Sequence, residues 1–423
     1  MKVASGNSTI KFNNQLLPIE GFIGIHDLPN VSIIYIEKDR VKFALVSMEI
    51  VMLWDDFLNR CRQAVSNVLQ VPIENVWLHM THAITTPHAP GGPMIGLGGQ
   101  EIKLSEAEKD QRNAELKKRK LYEDTIFIAL IDALKQCLKP KEAKLYIGAS
   151  ECDLIQGRDI KTKDGWWIGV GGDGKSNQTM TILSFKDEND NCIAHVISYA
   201  MKPCVIDNAE MDKGTRLVSA DAPGLLCRKL EEKYNCPALY LTAAAGDRVP
   251  IKTAWFDTVG DDGKIKTVDY GVKKGLEFAK ELSQKMFNST VDIIGQSLQV
   301  TEDNLVINHA DFEWKSKGRI KMKPYNFLAF ESDGSKQVPV DVVIIGDVAF
   351  VGGKPEINTN TESALKDISD YEHTLYVSML NGGMKYMPDK QSYDEYRWEA
   401  LASMLMPGAA EKFVEIAGEY LKR

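Results

Sequence analysis

The chain has 423 residues, of which 44% are hydrophobic, and a formal net charge of −8. This length and apolar content allow a sizeable core. The acidic balance argues against nucleic acid or an anionic membrane as the main partner, because both are bound through basic patches. No apolar run is long enough for a signal peptide or a membrane-spanning helix. We therefore expect a globular protein that binds a small soluble molecule, with no nucleic-acid and no membrane partner.

Seven cysteines are spread along the chain without a CxxC pair, and their number is odd. This usage is typical of unpaired thiols in a reducing compartment. Cys61 and Cys227 fall at apolar-periodic positions, where a cysteine usually acts as a small buried hydrophobe. The sequence therefore predicts a cytoplasmic protein.

The first clear pattern along the chain is a strand, a helix and a second strand. Residues 41–51 form an apolar run typical of a buried strand, residues 53–68 repeat apolar side chains at helical spacing, and residues 75–80 are again strand-like. Such a unit predicts two parallel strands joined by a right-handed crossover. The Pro/Gly-rich loop that follows then lies at a carboxyl strand end, where open α/β sheets bind ligands.

Three of the seven histidines, His79, His82 and His88, lie within ten residues at this point. Imidazole is a common metal ligand and titrates near neutral pH, so the cluster indicates a metal or acid–base site. For His79 the alternative is a core histidine bonded to backbone, because in a strand it points to the opposite face from His82. His195, inside an apolar strand, has the same alternative.

Four more apolar strands are each followed by a polar loop. The strand patterns cover residues 193–199, 238–241, 342–351 and 374–380, and helical patterns cover residues 122–138, 222–233, 272–287, 362–368 and 408–421. This alternation predicts an α/β fold, and we expect a single domain over residues 1–423. Residues 100–120 are highly charged and predict a solvated helical insertion.

Residues 169–176 match the P-loop pattern, in which backbone amides and a lysine hold phosphates. That pattern requires a helix immediately afterwards. Here residues 179–185 and 193–199 are typical of the two strands of a hairpin. A glycine-rich connecting loop is therefore favoured, and a nucleotide-binding protein is the alternative.

Taken in order, the polar loops resemble those of the neutral/alkaline ceramidase family, in its N-terminal catalytic domain. The similarity covers nearly the whole chain, and the family's downstream immunoglobulin-like domain has no expected counterpart because the chain ends soon after the last matching loop. Thr81-His82 and His88–Gly92 resemble the start and the end of the family's Thr-His-Thr-His-Ser-Gly-Pro-Gly-Gly element. Gln156-Gly-Arg158 resembles its Asn-Arg-Ser-Pro segment, and Gly246–Pro250 resembles its Gly-Asp-Val-Ser-Pro loop. Lys354–Glu356 resembles its Pro-Gly-Glu, and Asn381–Tyr386 with Tyr393–Tyr396 resemble its two tyrosine segments.

The resemblance implies a layered α/β sandwich of mixed sheets flanked by helices, and a zinc-dependent hydrolase. It implies His82, Glu356 and Tyr386 as zinc ligands, with His88 nearby as the second histidine and Arg158 as a substrate-binding residue. These nitrogen and oxygen donors suit Zn²⁺. Asp247 and Arg248 follow Ala-Ala-Ala-Gly, whose small side chains permit close approach of a ligand.

Two positions depart from the family pattern. The family's other zinc histidine corresponds to Lys202, whose ammonium cannot ligate a metal unless it is deprotonated, although it can balance the charge of Glu356. The family's serine nucleophile corresponds to Val249, which has no nucleophilic atom. Cys204 and Asp207 are further candidate ligands.

These features leave three functions open. The first is a hydrolase, not a true ceramidase, that cleaves amide or related carbonyl bonds in a small polar or anionic substrate. In it Arg158 or Arg248 binds the substrate or its oxyanion, and His88 transfers the proton. The second is a metal-free relative that uses Lys202 and His82 as an acid–base pair, or a non-catalytic binding protein. The third is the nucleotide-binding protein.

Overall fold

The computed structural model describes residues 1–89, 106–172, 178–207, 209–211, 214–318, 321–323 and 327–423. Its largest sheet contains nine strands. They are β1 (Lys2–Thr9), β3 (Asn30–Lys38), β4 (Val41–Met48), β5 (Val76–Met80), β6 (Lys141–Glu151), β9 (Thr179–Asp187), β10 (Cys192–Tyr199), β12 (Ala238–Thr242) and β16 (Leu298–Gln299).

A second sheet has four strands: β17 (Leu305–Lys317), β20 (Ser332–Ile345), β21 (Val348–Gly352) and β23 (His373–Val377). Both sheets are mixed, because β4–β5, β10–β12 and β21–β23 pair in parallel while the other pairs are antiparallel. The nine-stranded sheet has the order β12-β10-β9-β6-β1-β3-β4-β5, with β16 beside β6.

The remaining strands pair in small sheets of two or three strands. They are β2 (Phe22–Ile25), β7 (Ile155–Thr162), β8 (Gly165–Gly172), β11 (Arg216–Val218), β13 (Arg248–Pro250), β14 (Trp255–Val259), β15 (Ile265–Asp269), β18 (Lys321–Lys323), β19 (Phe327–Ala329), β22 (Glu356–Ile357) and β24 (Tyr386–Met387).

Eight α-helices occur in the described part of the chain, besides a 3₁₀ turn at Ile73–Asn75. They are α1 (Asp55–Leu69), α2 (Glu106–Gln136), α3 (Asp221–Tyr234), α4 (Gly271–Gln296), α5 (Thr359–Ile368), α6 (Lys390–Asp394), α7 (Trp398–Ala402) and α8 (Ala409–Tyr420).

The two main sheets pack face to face, with helices on their outer faces. Alternation along the strands decides which side chain enters which layer: Ile33 faces the helices α1 and α2, whereas Ile34 enters the core between the sheets with Phe43 and Trp77. On the far side, α5 and α8 cover the four-stranded sheet. Close approach of α2 to β1 requires Gly6, because a Cβ there would meet the Ala133 carbonyl oxygen at 2.2 Å.

This architecture confirms the predicted layered α/β sandwich of mixed sheets flanked by helices. The parallel pair β4–β5 across α1 is the predicted strand–helix–strand unit. The single strand predicted over residues 342–351 is wrong, because Gly346 takes a positive φ of 59° and turns the chain between β20 and β21. That residues 1–423 form one domain stays a prediction.

Two other predicted segments are only partly described. The charged stretch 100–120 is helical from Glu106 onward and continues into the next predicted helix, and its first part lies outside the described residues. The P-loop match is strand up to Gly172, and residues 173–177 lie outside the description. A strand, β9, follows it in place of the helix that a phosphate-binding loop needs.

Candidate active site

Five strands bring the predicted site loops together. β5 leads to His82, β10 to Lys202, β12 to Arg248, β21 to Glu356 and β23 to Tyr386. The loops also bond to one another directly: the Ile84 amide donates to the Pro203 carbonyl at 3.3 Å, and the Gly246 amide donates to the Ile357 carbonyl at 2.9 Å.

His79 ties three of these strand ends together. Its ring nitrogen Nδ1 lies 2.6 Å from the Ser378 carbonyl oxygen, and its Nε2 accepts the Thr242 amide at 3.1 Å. Only a neutral ring protonated on Nδ1 satisfies both partners. Burial lowers the pKa of His79 to about 4, which keeps the ring neutral. His79 is therefore the backbone-bonded core histidine that the sequence left as an alternative.

Glu356 and Tyr386 become neighbours through a short parallel pairing. β22 and β24 pair with Glu356 opposite Tyr386, and the Glu356 amide donates to the Lys385 carbonyl at 2.7 Å. Gly246 lets the Asp247 loop reach this strand, because a Cβ there would meet the Ile357 carbonyl oxygen at 2.6 Å. The small strand pair thus holds a carboxylate and a phenol side by side.

Lys202, Glu356 and His82 form one buried charged group. The Lys202 ammonium donates to Glu356 Oε2 at 3.0 Å, and His82 Nδ1 lies 3.1 Å from Glu356 Oε1. The side chains of Lys202 and Glu356 are 3% and 2% exposed, whereas that of His82 is 22% exposed. Both oxygens of the carboxylate are therefore used, and the imidazole is the member that faces outward.

Charge pairing overrides burial in this group. Burial alone would lower the pKa of Lys202, but the neighbouring Glu356 carboxylate and Tyr386 raise it above its usual value. Burial alone would raise the pKa of Glu356, but Lys202, His82 and Arg158 lower it. Lysine is therefore held as an ammonium and the glutamate as a carboxylate across the physiological pH range.

Tyr386 lies between two cations. Its hydroxyl oxygen is 3.5 Å from the Lys202 ammonium and 3.4 Å from Arg158 Nη1. Both groups are donors only, so the tyrosine oxygen accepts and its own O–H remains directed elsewhere. Arg158 is fixed by two bonds to Glu399 Oε1, at 2.8 Å from Nε and 2.6 Å from Nη2.

Asp247 immediately precedes the strand β13, and Arg248 is its first residue. The Asp247 carboxylate accepts from the Thr359 amide and hydroxyl at 2.9–3.3 Å, which ties it to the start of α5. Arg248 pairs with Gly157, next to Arg158, and its side chain is 1% exposed. Its two terminal nitrogens have no hydrogen-bond partner in the described part of the chain.

Two sequence-predicted positions have partners outside the charged group. His88 is exposed, and its amide and Nδ1 bond to Glu20 at 2.7 and 3.1 Å. Its proton-transfer role stays a prediction. Val249, at the family's serine position, pairs with Gln156 between β13 and β7.

The zinc ion that the resemblance implies does not fit the donor set at His82. His82, Glu356 and Tyr386 are suitable ligand types. However, the Lys202 ammonium already bonds Glu356 and approaches Tyr386, and its raised pKa keeps it positively charged. A divalent cation among the same side chains would meet this charge at close range. The alternative in which Lys202 replaces the metal agrees with these contacts.

Three features of the structure were missed in the sequence. Glu399, the partner of Arg158, lies on the five-residue helix α7 and follows no recognisable motif. Cys192 and Cys236 form a disulfide, although the cysteine spacing indicated unpaired thiols. Among the described residues, Cys192, His195 and Cys236 form the group of candidate metal-binding side chains whose ligand atoms lie within 4.8 Å of one another.

Comparison with solved structures shows which fold this chain has. No protein-family model and no curated protein sequence matches this chain. A solved structure of a ceramidase complexed with C2 matches 99% of this chain and 74% of its own, at 13% identity and a TM-score of 0.70. The chain has a ceramidase-like catalytic-domain fold. Neutral ceramidase from Pseudomonas aeruginosa matches similarly, at 14% identity and a TM-score of 0.70, over 99% of this chain and 73% of its own.

Similarity at 13–14% identity shows the fold and not the activity. Of the described helices, none combines the length and apolar character needed to cross a bilayer. Disulfides are most common in oxidising compartments, and the cytoplasmic location stays a prediction.

Proposed function

We propose that the protein is a metal-independent hydrolase of amide or related carbonyl bonds in a small polar or anionic substrate. The observation that carries the proposal is the position of the Lys202 ammonium, 3.0 Å from Glu356 and 3.5 Å from the Tyr386 hydroxyl. A fixed positive charge lies among the side chains that the resemblance implies as zinc ligands. The ceramidase-like fold supports a hydrolase as the reaction class.

His82 is the proposed general base. The Glu356 carboxylate is an acceptor only, so His82 Nδ1 carries the proton toward it and Nε2 keeps a lone pair. Its partial exposure lets Nε2 reach a water molecule. Water attacks the substrate carbonyl while its proton passes to Nε2, and the resulting imidazolium returns that proton to the leaving group. Direct attack by water needs no serine, which agrees with valine at position 249.

Tyr386 is the proposed oxyanion donor. Because Lys202 and Arg158 both donate to its oxygen, its O–H is polarised and free to bond the carbonyl oxygen as negative charge develops there. The buried positive charge of Arg248, whose two terminal nitrogens have no hydrogen-bond partner among the described residues, supports an anionic group on the substrate.

The test is a hydrolysis assay with chelator present. N-acyl amino acids, matched neutral N-acyl amides and a short-chain ceramide are compared as substrates. We expect N-acyl amino acids to be cleaved best, with undiminished rate in chelator, and His82→Ala to lower kcat by about 10²–10⁴-fold. Rescue by zinc of a chelator-inhibited enzyme would refute the metal-independent mechanism. Tight binding of N-acyl amino acids without any cleavage would instead favour the non-catalytic binding protein.

A further inference from the structure

A second group of reactive side chains lies on the strand β10 and two residues before the strand β12, on residues that the proposed hydrolysis does not use. Cys192 and Cys236 are joined as a disulfide with their Cα atoms 5.9 Å apart. His195 Nε2 lies 3.4 Å from Cys192 Sγ. The parallel pairing of β10 with β12 places His195 opposite Ala238, two residues after Cys236, so the sheet register itself brings the three side chains together.

His195 is oriented as a ligand. Its Nδ1 lies 2.9 Å from the Ser184 hydroxyl on β9, and the ring packs edge-on against Tyr234 at 4.7 Å between centroids. With Nδ1 bonded to serine, Nε2 faces the two sulfurs. A neutral imidazole held by a second hydrogen bond is the usual arrangement of histidine at metal sites.

We propose that, when the disulfide is reduced, Cys192, Cys236 and His195 bind a thiophilic divalent cation of the zinc class. Two thiolates and one imidazole are three of the ligands of a tetrahedral zinc site, and water completes the fourth position. Cys192 is only partly buried, which gives the cation a route of entry, while His195 and Cys236 are buried.

The dithiol and the disulfide of Cys192 and Cys236 differ in whether they can bind a cation. Binding of the cation by the dithiol releases two protons to solvent. Closure of the disulfide removes two electrons and two protons, and a small disulfide such as oxidised glutathione accepts them and becomes two thiols. The disulfide form has no thiolate to offer, so oxidation and cation binding exclude each other.

The site is tested with Co²⁺ as the probe on the full-length protein. After reduction with a phosphine, the protein is expected to bind one equivalent of Co²⁺ with a thiolate-to-cobalt charge-transfer band, and Zn²⁺ is expected to displace it. Protein oxidised with diamide is expected to show no such band. Zinc is also expected to raise the melting temperature of the reduced form alone, because it binds the folded state.

Variants separate this group from other thiols. Cys192→Ala and His195→Asn are each expected to weaken Co²⁺ binding at least about 100-fold, and Ser184→Ala by about 10–100-fold. Cys61→Ala, which removes a buried free cysteine elsewhere, is the matched control and keeps full binding. Absence of the band in reduced protein, or its survival in Cys192→Ala or His195→Asn, would overturn the proposal.

Discussion

Lys202 and Glu356 depend on each other because both side chains are almost completely buried. Removing one partner of such a pair leaves the other as an uncompensated charge away from water. Glu356 also bonds His82 Nδ1, so replacing Glu356 leaves the imidazole without this partner. The charged group therefore links the stability of the fold to the orientation of the proposed base.

Glu356→Gln is expected to lower the free energy of unfolding by about 3–5 kcal/mol, because the Lys202 ammonium loses its buried counter-charge. Urea denaturation followed by circular dichroism measures the change. Glu277→Gln, which breaks an exposed pair with Lys274, is the control and should leave stability unchanged within error. Equal stability of Glu356→Gln and wild type would show that the Lys202 ammonium does not depend on Glu356 as its counter-charge.

At the scale of elements, the arrangement of the site rests on backbone bonds between strand ends. His79→Leu keeps the apolar volume but leaves the Thr242 amide and the Ser378 carbonyl without their ring partner. We expect a loss of about 1–3 kcal/mol for each unpaired buried group, measured by denaturant unfolding. Ile73→Ala, at an exposed site on the turn before β5, is the comparison substitution and should have little effect. A loss no larger than that of Ile73→Ala would argue against His79 as the link.

The same histidine predicts a dependence of stability on pH. The pKa of His79 is about 4 in the fold against 6.5 for an ordinary histidine, so between these values the unfolded chain binds more protons. Its contribution is complete above pH 6.5 and is lost as the pH falls toward 4, by at most about 3 kcal/mol. The difference in unfolding free energy between wild type and His79→Leu should therefore shrink over this interval. A difference independent of pH would mean that His79 titrates normally in the fold.

The sequence predicted individual elements better than their pairings. The strand and helix of residues 41–68 follow from apolar periodicity, which burial on one face imposes directly. The turn at Gly346 was missed because only Gly346 and Asp347 interrupt an otherwise continuous apolar run. The pairing of Glu356 with Tyr386 and the bond from Arg158 to Glu399 join residues far apart in the chain, and no local pattern specifies them.

At the scale of the whole molecule, the sandwich agrees with ceramidase structures at 13–14% identity. A core tolerates extensive exchange of apolar residues when volume and patterning are kept, so the fold persists while individual side chains differ. The site loops are subject to another constraint, because a single exchange such as lysine for histidine changes which cation they can hold. Resemblance of the loops therefore located the charged group, but could not decide between a metal ion and an ammonium.

Lys202 is the proposed replacement for a metal ion, and zinc titration calorimetry tests this role most directly. The protein is used in its disulfide form, so that Cys192 and Cys236 cannot contribute. We expect wild type and Lys202→Met to bind no zinc, and Lys202→His to bind one equivalent, because a second imidazole then joins His82, Glu356 and Tyr386. Binding of one equivalent by wild type that is abolished in Glu356→Gln would contradict the central claim.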